Sequence, residues 1–157
     1  MIIYVGDSSR TRERIRRDHC SGNVYGSALR RHVAKALGYS LRPRNGGNGS
    51  EIDLTDPSVG EAAVSTYIRG GRWRVIACRT VEESKDFQWF AVDRLKPQLN
   101  RDRKDWDRAN EERYNELLRM LQEVPLQEWG RAAEDVPGPG VYVLEHEQLP
   151  RARSGEE

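Results

Sequence analysis

Arginine recurs at almost every second position in SSRTRERIRRDH, directly after the apolar run Ile2–Val5. The chemistry such a segment suits is phosphate binding. A guanidinium stays charged and its planar fork donates parallel N–H bonds to phosphate oxygens. Arg10, Arg12, Arg14, Arg16 and Arg17 lie here, and Arg30, Arg31, Lys35, Arg42 and Arg44 follow. Up to Arg44 only Asp7, Glu13 and Asp18 oppose them, while the acids gather at Glu51–Glu61, Glu82–Asp86, Glu111–Glu123 and Glu156–Glu157. The net charge of +1 therefore hides an asymmetry, and such asymmetry points to a polyanionic partner. A solvated helix face with no partner is the alternative reading of the same stretch.

A chain of 157 residues is one domain long. With 36% hydrophobic and 32% charged residues, a small core under a polar surface is expected. No apolar run of about 18 residues suggests a membrane span, and the first residues lack a signal-peptide core, so the expectation is a cytoplasmic protein. Cys20 and Cys78 form no motif. Reduced thiols are expected, and no zinc site, for lack of ligands at metal spacing.

The elements that must position the arginines are short. Ile2–Val5 reads as a strand ended by Gly6, and Arg10–His19 has helical spacing. Ser27 is placed to cap a helix through Leu37 that Gly38 stops. Arg42–Ser50, containing NGGNGS, reads as a flexible loop. Asp56-Pro57 starts a helix running to Gly70, and Trp73–Arg79 is a strand. Thr80 and Glu83 form a capping box for a helix that Pro97 ends. Asp102–Glu123 reads as one long amphipathic helix with Trp106, Tyr114, Leu117, Leu118 and Leu121 on one side. Val141–Leu144 closes the chain as a strand. The pattern is α+β, a small antiparallel sheet of about three strands flanked by helices. It divides into a main core over 1–100, the helix over 101–124 and the last strand within 138–146, all in one domain over 1–157.

Tyr4-Val5-Gly6, followed ten residues later by Arg14 and then by Ile15 and His19, resembles the second half of the GIY-YIG nuclease core. GNVYGSALRRHVAKALG is similar to the helix that follows in many bacterial members, and LKPQLN resembles the family's closing signature. The "GIY" strand that should precede Tyr4 does not. Gly140-Val141-Tyr142, behind VPGP, resembles it at the far end of the chain. The resemblance thus implies a circularly permuted GIY-YIG domain, with EHEQLPRARSGEE in the place of the hairpin loop leading into MIIYVG. Permutation costs little at an exposed hairpin tip. The alternative is that Val141–Leu144 is an ordinary edge strand.

The resemblance implies a metal-dependent endonuclease that hydrolyses phosphodiesters of double-stranded DNA as a monomer or homodimer, with restriction, repair and mobile-element roles all open. It assigns Tyr142 and Tyr4 to activating and positioning water. A phenol needs electropositive help for that, its ordinary pKa being about 10. Arg14 would grip the scissile phosphate. His19 would take a proton from a tyrosine or hold a phosphate, with His32 an alternative, and Asn100 would orient the other groups. Arg10, Arg12, Arg16, Arg17, Arg30 and Arg31 would bind DNA. The family's Mg²⁺ (or Mn²⁺) ligand is a glutamate; its position here holds Gln88. A carboxamide is a poor substitute for an anionic oxygen on a hard dication. Three readings follow: a chain inactivated by a Glu-to-Gln change, a natural member that has lost cleavage, or a metal held by Asp86 or Glu83. From a different class come a non-catalytic nucleic-acid-binding module and a protein-interaction domain dimerising through the Trp106–Leu121 helix.

Overall fold

An apolar run without alternation suits a strand covered on both faces, and GVYVLE becomes such a strand, its first five residues buried. The computed structural model describes residues Met1–Ala152. In chain order the elements are β1 (Ile2–Ser8), α1 (Thr11–Glu13), a π-helical segment (Arg14–His19), α2 (Ala28–Ala36), β2 (Leu41–Pro43), β3 (Ser50–Ile52), α3 (Pro57–Arg69) and β4 (Arg72–Ala77). After them come α4 (Val81–Leu95), a 3-10 turn (Arg108–Asn110), α5 (Glu111–Glu123), β5 (Gln127–Glu128) and β6 (Gly140–Glu145). The fold is α+β. The sheet has four strands rather than three, ordered β1-β6-β4-β5, and β2-β3 stand apart as a hairpin. Every pairing is antiparallel. No helix among the described residues is long and apolar enough to cross a membrane.

Strand alternation divides the interior into two layers. Tyr142 and Leu144 of β6, with Trp73 and Val75 of β4, face Ile15, Leu29, Val33, Val64 and Ile68. Val141 and Val143, with Ile76, face Phe87, Phe90, Tyr114, Leu117 and Leu121 on α4 and α5. Each large apolar side chain so buried contributes ~1.5–3 kcal/mol, which makes the twice-covered β6 the anchor of the sheet. The first and last strands of the chain pair, with Tyr4 opposite Leu144 and Gly6 opposite Tyr142. The register shifts between Ile2 and Tyr4. This bulge breaks the alternation, so Ile3 and Tyr4 both join the layer that holds Tyr142. Bulges re-aim side chains in this way.

Caps form where the sequence places them. Ser27, Asp56 and Thr80 accept from the backbone N–H groups of Arg30, Ser58 and Glu83. Glu83 answers by accepting from Arg79 N at 2.9 Å, and Gly38 takes a positive φ of 98° after α2.

Three readings need correction. Gly6 does not end β1, because the β6 pairing continues to Ser8 opposite Gly140. Arg42–Ser50 is not all loop, since Arg42 pairs with Glu51 and Pro43 with Ser50. The expected Asp102–Glu123 helix begins only at Glu111. Ahead of it Trp106 leaves the helical path, buries itself and packs edge-on against Phe90 at 4.7 Å. Asp107 then makes a cap of its own, its carboxylate accepting from Ala109 N at 2.9 Å. Burial of one indole and a capped turn outweigh local helix propensity there.

Candidate functional site

A π-helix sets the geometry of the site. In an α-helix, at about 100° per residue, residues five apart point roughly 140° from each other. The Arg14–His19 segment is wound i to i+5, with Cys20 N donating to Ile15 O at 3.0 Å. That wider turn brings Arg14 and His19 toward a common side, and π-turns recur at functional sites.

His19 is fully buried and sits in a chain of side-chain hydrogen bonds. Its Nδ1 lies 2.7 Å from Ser27 Oγ and its Nε2 lies 2.6 Å from the Tyr142 hydroxyl. Burial, reinforced by the charges of Arg14 and Arg30, holds the imidazole neutral, well below its ordinary range. Burial drives the Tyr142 phenol well above its own, with Tyr4 adding to the shift and Arg14 opposing it. The Tyr142 hydroxyl thus keeps its proton. Arg14 has no acceptor to offer, so that proton points to Nε2. The ring proton then sits on Nδ1 and is donated to Ser27 Oγ, which also accepts from Arg30 N at 3.2 Å. Trp73 stacks parallel to His19, with ring centroids 6.3 Å apart.

Gly6 is what lets the Tyr142 ring lie here. A Cβ at position 6 would come within 2.7 Å of Tyr142 Cζ and Oη. Sequence reading took Gly6 for a strand end, whereas its purpose is this close approach. Tyr4 also approaches His19, its ring edge-on at 6.1 Å. Tyr4 is partly buried and Tyr142 fully buried, so Tyr4 is the more exposed of the two tyrosines. Burial raises the Tyr4 pKa, and the Arg14 charge works against that rise.

Arg14 is half-buried, its Nη1 donating to Gly26 O at 2.8 Å and to Asp18 at 3.2 Å. Its charge acts on both phenols. Asn100 serves the backbone: its Oδ1 accepts from Val5 N and its Nδ2 donates to Val5 O, both at 2.9 Å. With Gln98 N and Leu99 N donating to Ile2 O and Ile3 O, residues 98–100 cover the free edge of β1 and fix the backbone beside Tyr4. Tyr4, Arg14, His19 and Tyr142 are therefore together, with Asn100 behind them. Asp7, which sequence reading passed over, sits half-buried near the same groups. Burial raises its pKa, with Lys85 and Arg14 opposing. Its signal was an acid directly after YVG.

Gln88 is buried on α4, the helix that packs on β1. Glu83 and Asp86 are committed elsewhere. Glu83 caps Arg79 N and pairs with Arg113 at 3.3 Å. Asp86 accepts from the Tyr114 hydroxyl at 2.6 Å and from Asp107 N at 3.0 Å. Among the described residues no three His, Cys, Asp or Glu side chains are grouped to hold a metal ion. A carboxamide at position 88 with both nearby acids engaged does not fit a resident Mg²⁺ or Mn²⁺.

The remaining basic residues divide by exposure. Arg10, Arg12 and Arg17 are exposed, and Arg16 and Arg31 half-buried. Arg31 donates to Val24 O at 2.9 Å. Arg30 is a correction: it is fully buried, paired with Glu61 at 2.9 Å, and donates to His19 O and Ser65. It cannot reach a phosphate and instead braces the turn that carries His19. His32 is half-buried among Arg101, Arg31 and Lys35 and is no part of the Tyr142–His19–Ser27 chain. The chain matches no protein-family model, curated protein or solved structure.

Proposed function

We propose that this chain binds double-stranded DNA and presents one phosphodiester to a GIY-YIG-type endonuclease site whose cleavage step is disabled by Gln88. One observation carries the reading. The pairing of β1 with β6 brings tyrosines from opposite ends of the chain against His19, at ring-centroid distances of 6.1 and 5.5 Å, with Arg14 acting on both. A simple binding surface needs no buried Tyr–His–Ser chain. The permuted strand order has its own support: Met1 N donates to His146 O at 2.9 Å and His146 N to Met1 O at 3.0 Å. The start of β1 and the end of β6 thus lie side by side, as in a hairpin.

In this reading Arg14 holds the phosphate and Tyr4 contacts the attacking water. The buried Tyr142–His19 pair fixes the positions of both. Arg10, Arg12 and Arg17 reach flanking phosphates. A second reading, a non-catalytic nucleic-acid-binding module, is favoured by one observation, the amide at position 88 with Glu83 and Asp86 engaged elsewhere. Both readings require DNA binding. Anisotropy of a labelled duplex across a salt series tests it. About four displaced phosphate counterions predict a log–log slope of roughly −3.6. Arg14→Ala should reduce the slope by about one contact. An affinity indifferent to salt would refute both readings.

A further inference from the structure

We infer that the cavity walled by Arg10, Arg12, Glu13, Arg16, Arg17 and Pro137 is a second phosphate site, beside the one proposed at Arg14, and that Glu13 occupies it as a built-in competitor. The inference rests on the DNA-binding reading above. The cavity measures about 410 Å³ and sets four guanidinium groups against one carboxylate. Its floor is rigid. Arg12 Nη1 donates to Glu134 O at 3.2 Å, Arg16 Nε to Ala132 O at 3.0 Å, and Arg12 N to Val136 O at 3.1 Å. These carbonyls hold the arginines on one side although their charges repel.

Two features suit an anion ligand. Arg16 Nη2 is buried with no acceptor among the described residues, and leaving a donor of a charged group unmet is costly. Glu13 meanwhile spans two arginines, one carboxylate oxygen on Arg10 and the other on Arg17, the latter at 2.6 Å. The Glu13 carboxylate thus bridges two forks as a phosphate would. An adjoining cleft of about 200 Å³ contains Arg14 and Asp18 and shares Arg10, Glu13 and Arg17 with the cavity. The shared wall makes the two depressions neighbours along one track, as successive phosphates of one strand require. An entering phosphate must displace Glu13 and is repelled by it until it moves.

The test uses two probes, inorganic phosphate and a labelled DNA duplex, on the full chain and on Glu13→Gln, which keeps size and removes charge. Phosphate should shift the Arg16 and Arg12 Nε–H NMR signals. Glu13→Gln should tighten duplex binding, roughly twofold to thirtyfold, since two exposed ion pairs no longer compete. Arg16→Lys, which keeps the charge and loses the fork, should weaken duplex binding several-fold. If the duplex binds equally to all three proteins, the second site is refuted while DNA binding stands. If phosphate shifts the Arg16 signal but no duplex binds, the cavity is an anion site and the DNA reading fails. If neither probe binds, both fall.

Discussion

Replacing Gly6 by alanine isolates the central packing of the site. Alanine is ordinarily the better residue inside a strand, by roughly 0.5–1 kcal/mol, and Gly6 has no positive φ that would forbid it. Propensity alone therefore predicts a slight gain. The added methyl would instead meet Tyr142 Cζ and Oη at 2.7 Å and Cε2 at 2.8 Å. Tyr142 cannot retreat easily, because it is 1% exposed, with Trp73 and His19 packed against it at ring-centroid distances of 5.8 and 5.5 Å. Overpacking a tight core costs ~1–3 kcal/mol. Pushing the hydroxyl off His19 Nε2 leaves a buried donor unmet for ~1–3 kcal/mol more. The expected loss is about 2–6 kcal/mol, a large share of a total stability of about 5–15 kcal/mol. Urea unfolding measures it, and the His19 ¹⁵N signals report the broken bond separately. A Gly6→Ala protein as stable as the parent, with unchanged His19 signals, would refute the proposed arrangement of Gly6, Tyr142 and His19.

Further consequences concern charge. The fold keeps His19 neutral, while the unfolded chain protonates it below about pH 6.5. The unfolded state then binds more protons, so stability falls as the pH drops below that value, with a slope approaching ~1.4 kcal/mol per pH unit for this group. His32 and His146 are shifted the same way, whereas Asp7, raised by burial, acts oppositely and in the carboxylate range. Denaturant unfolding near neutrality and two pH units lower checks this, and His19→Asn should flatten the slope. Glu61→Ala removes the carboxylate that pairs with fully buried Arg30 and accepts from Val24 N. Stranding that charge should cost ~3–5 kcal/mol in thermal unfolding, and a loss under 1 kcal/mol would contradict the bracing role of Arg30.

Much of the architecture was legible because local rules and tertiary structure agree. Ser27, Asp56 and Thr80 cap where their types and spacing suggest, and GVYVLE announces a buried strand. The reading failed where long-range contacts decide. Nothing local marks Trp106 as an anchor against Phe90, and its apolar spacing with Tyr114 imitates one helix. Arg30 and Arg31 are adjacent in sequence, yet only Glu61, 31 residues later, makes Arg30 a buried strut. The π-turn that joins Arg14 to His19 has no composition signal, and neither has the role of Tyr142 in setting the His19 tautomer, since both depend on what packs above the segment.

The most direct test of the account is cleavage by the protein with a carboxylate placed at position 88. A neutral amide at position 88 can hydrogen-bond but cannot neutralise a divalent cation. The protein with Gln88 should therefore bind duplex DNA and leave it intact in Mg²⁺ or Mn²⁺. Gln88→Glu, at matched folding and affinity, should cleave in a metal-dependent time course at least ~10³-fold faster, since each 1.36 kcal/mol of transition-state stabilisation is about tenfold. Arg14→Ala in the same background should abolish the gain. DNA left uncut by the Gln88→Glu protein despite intact binding would contradict the endonuclease assignment and leave a nucleic-acid-binding module in its place.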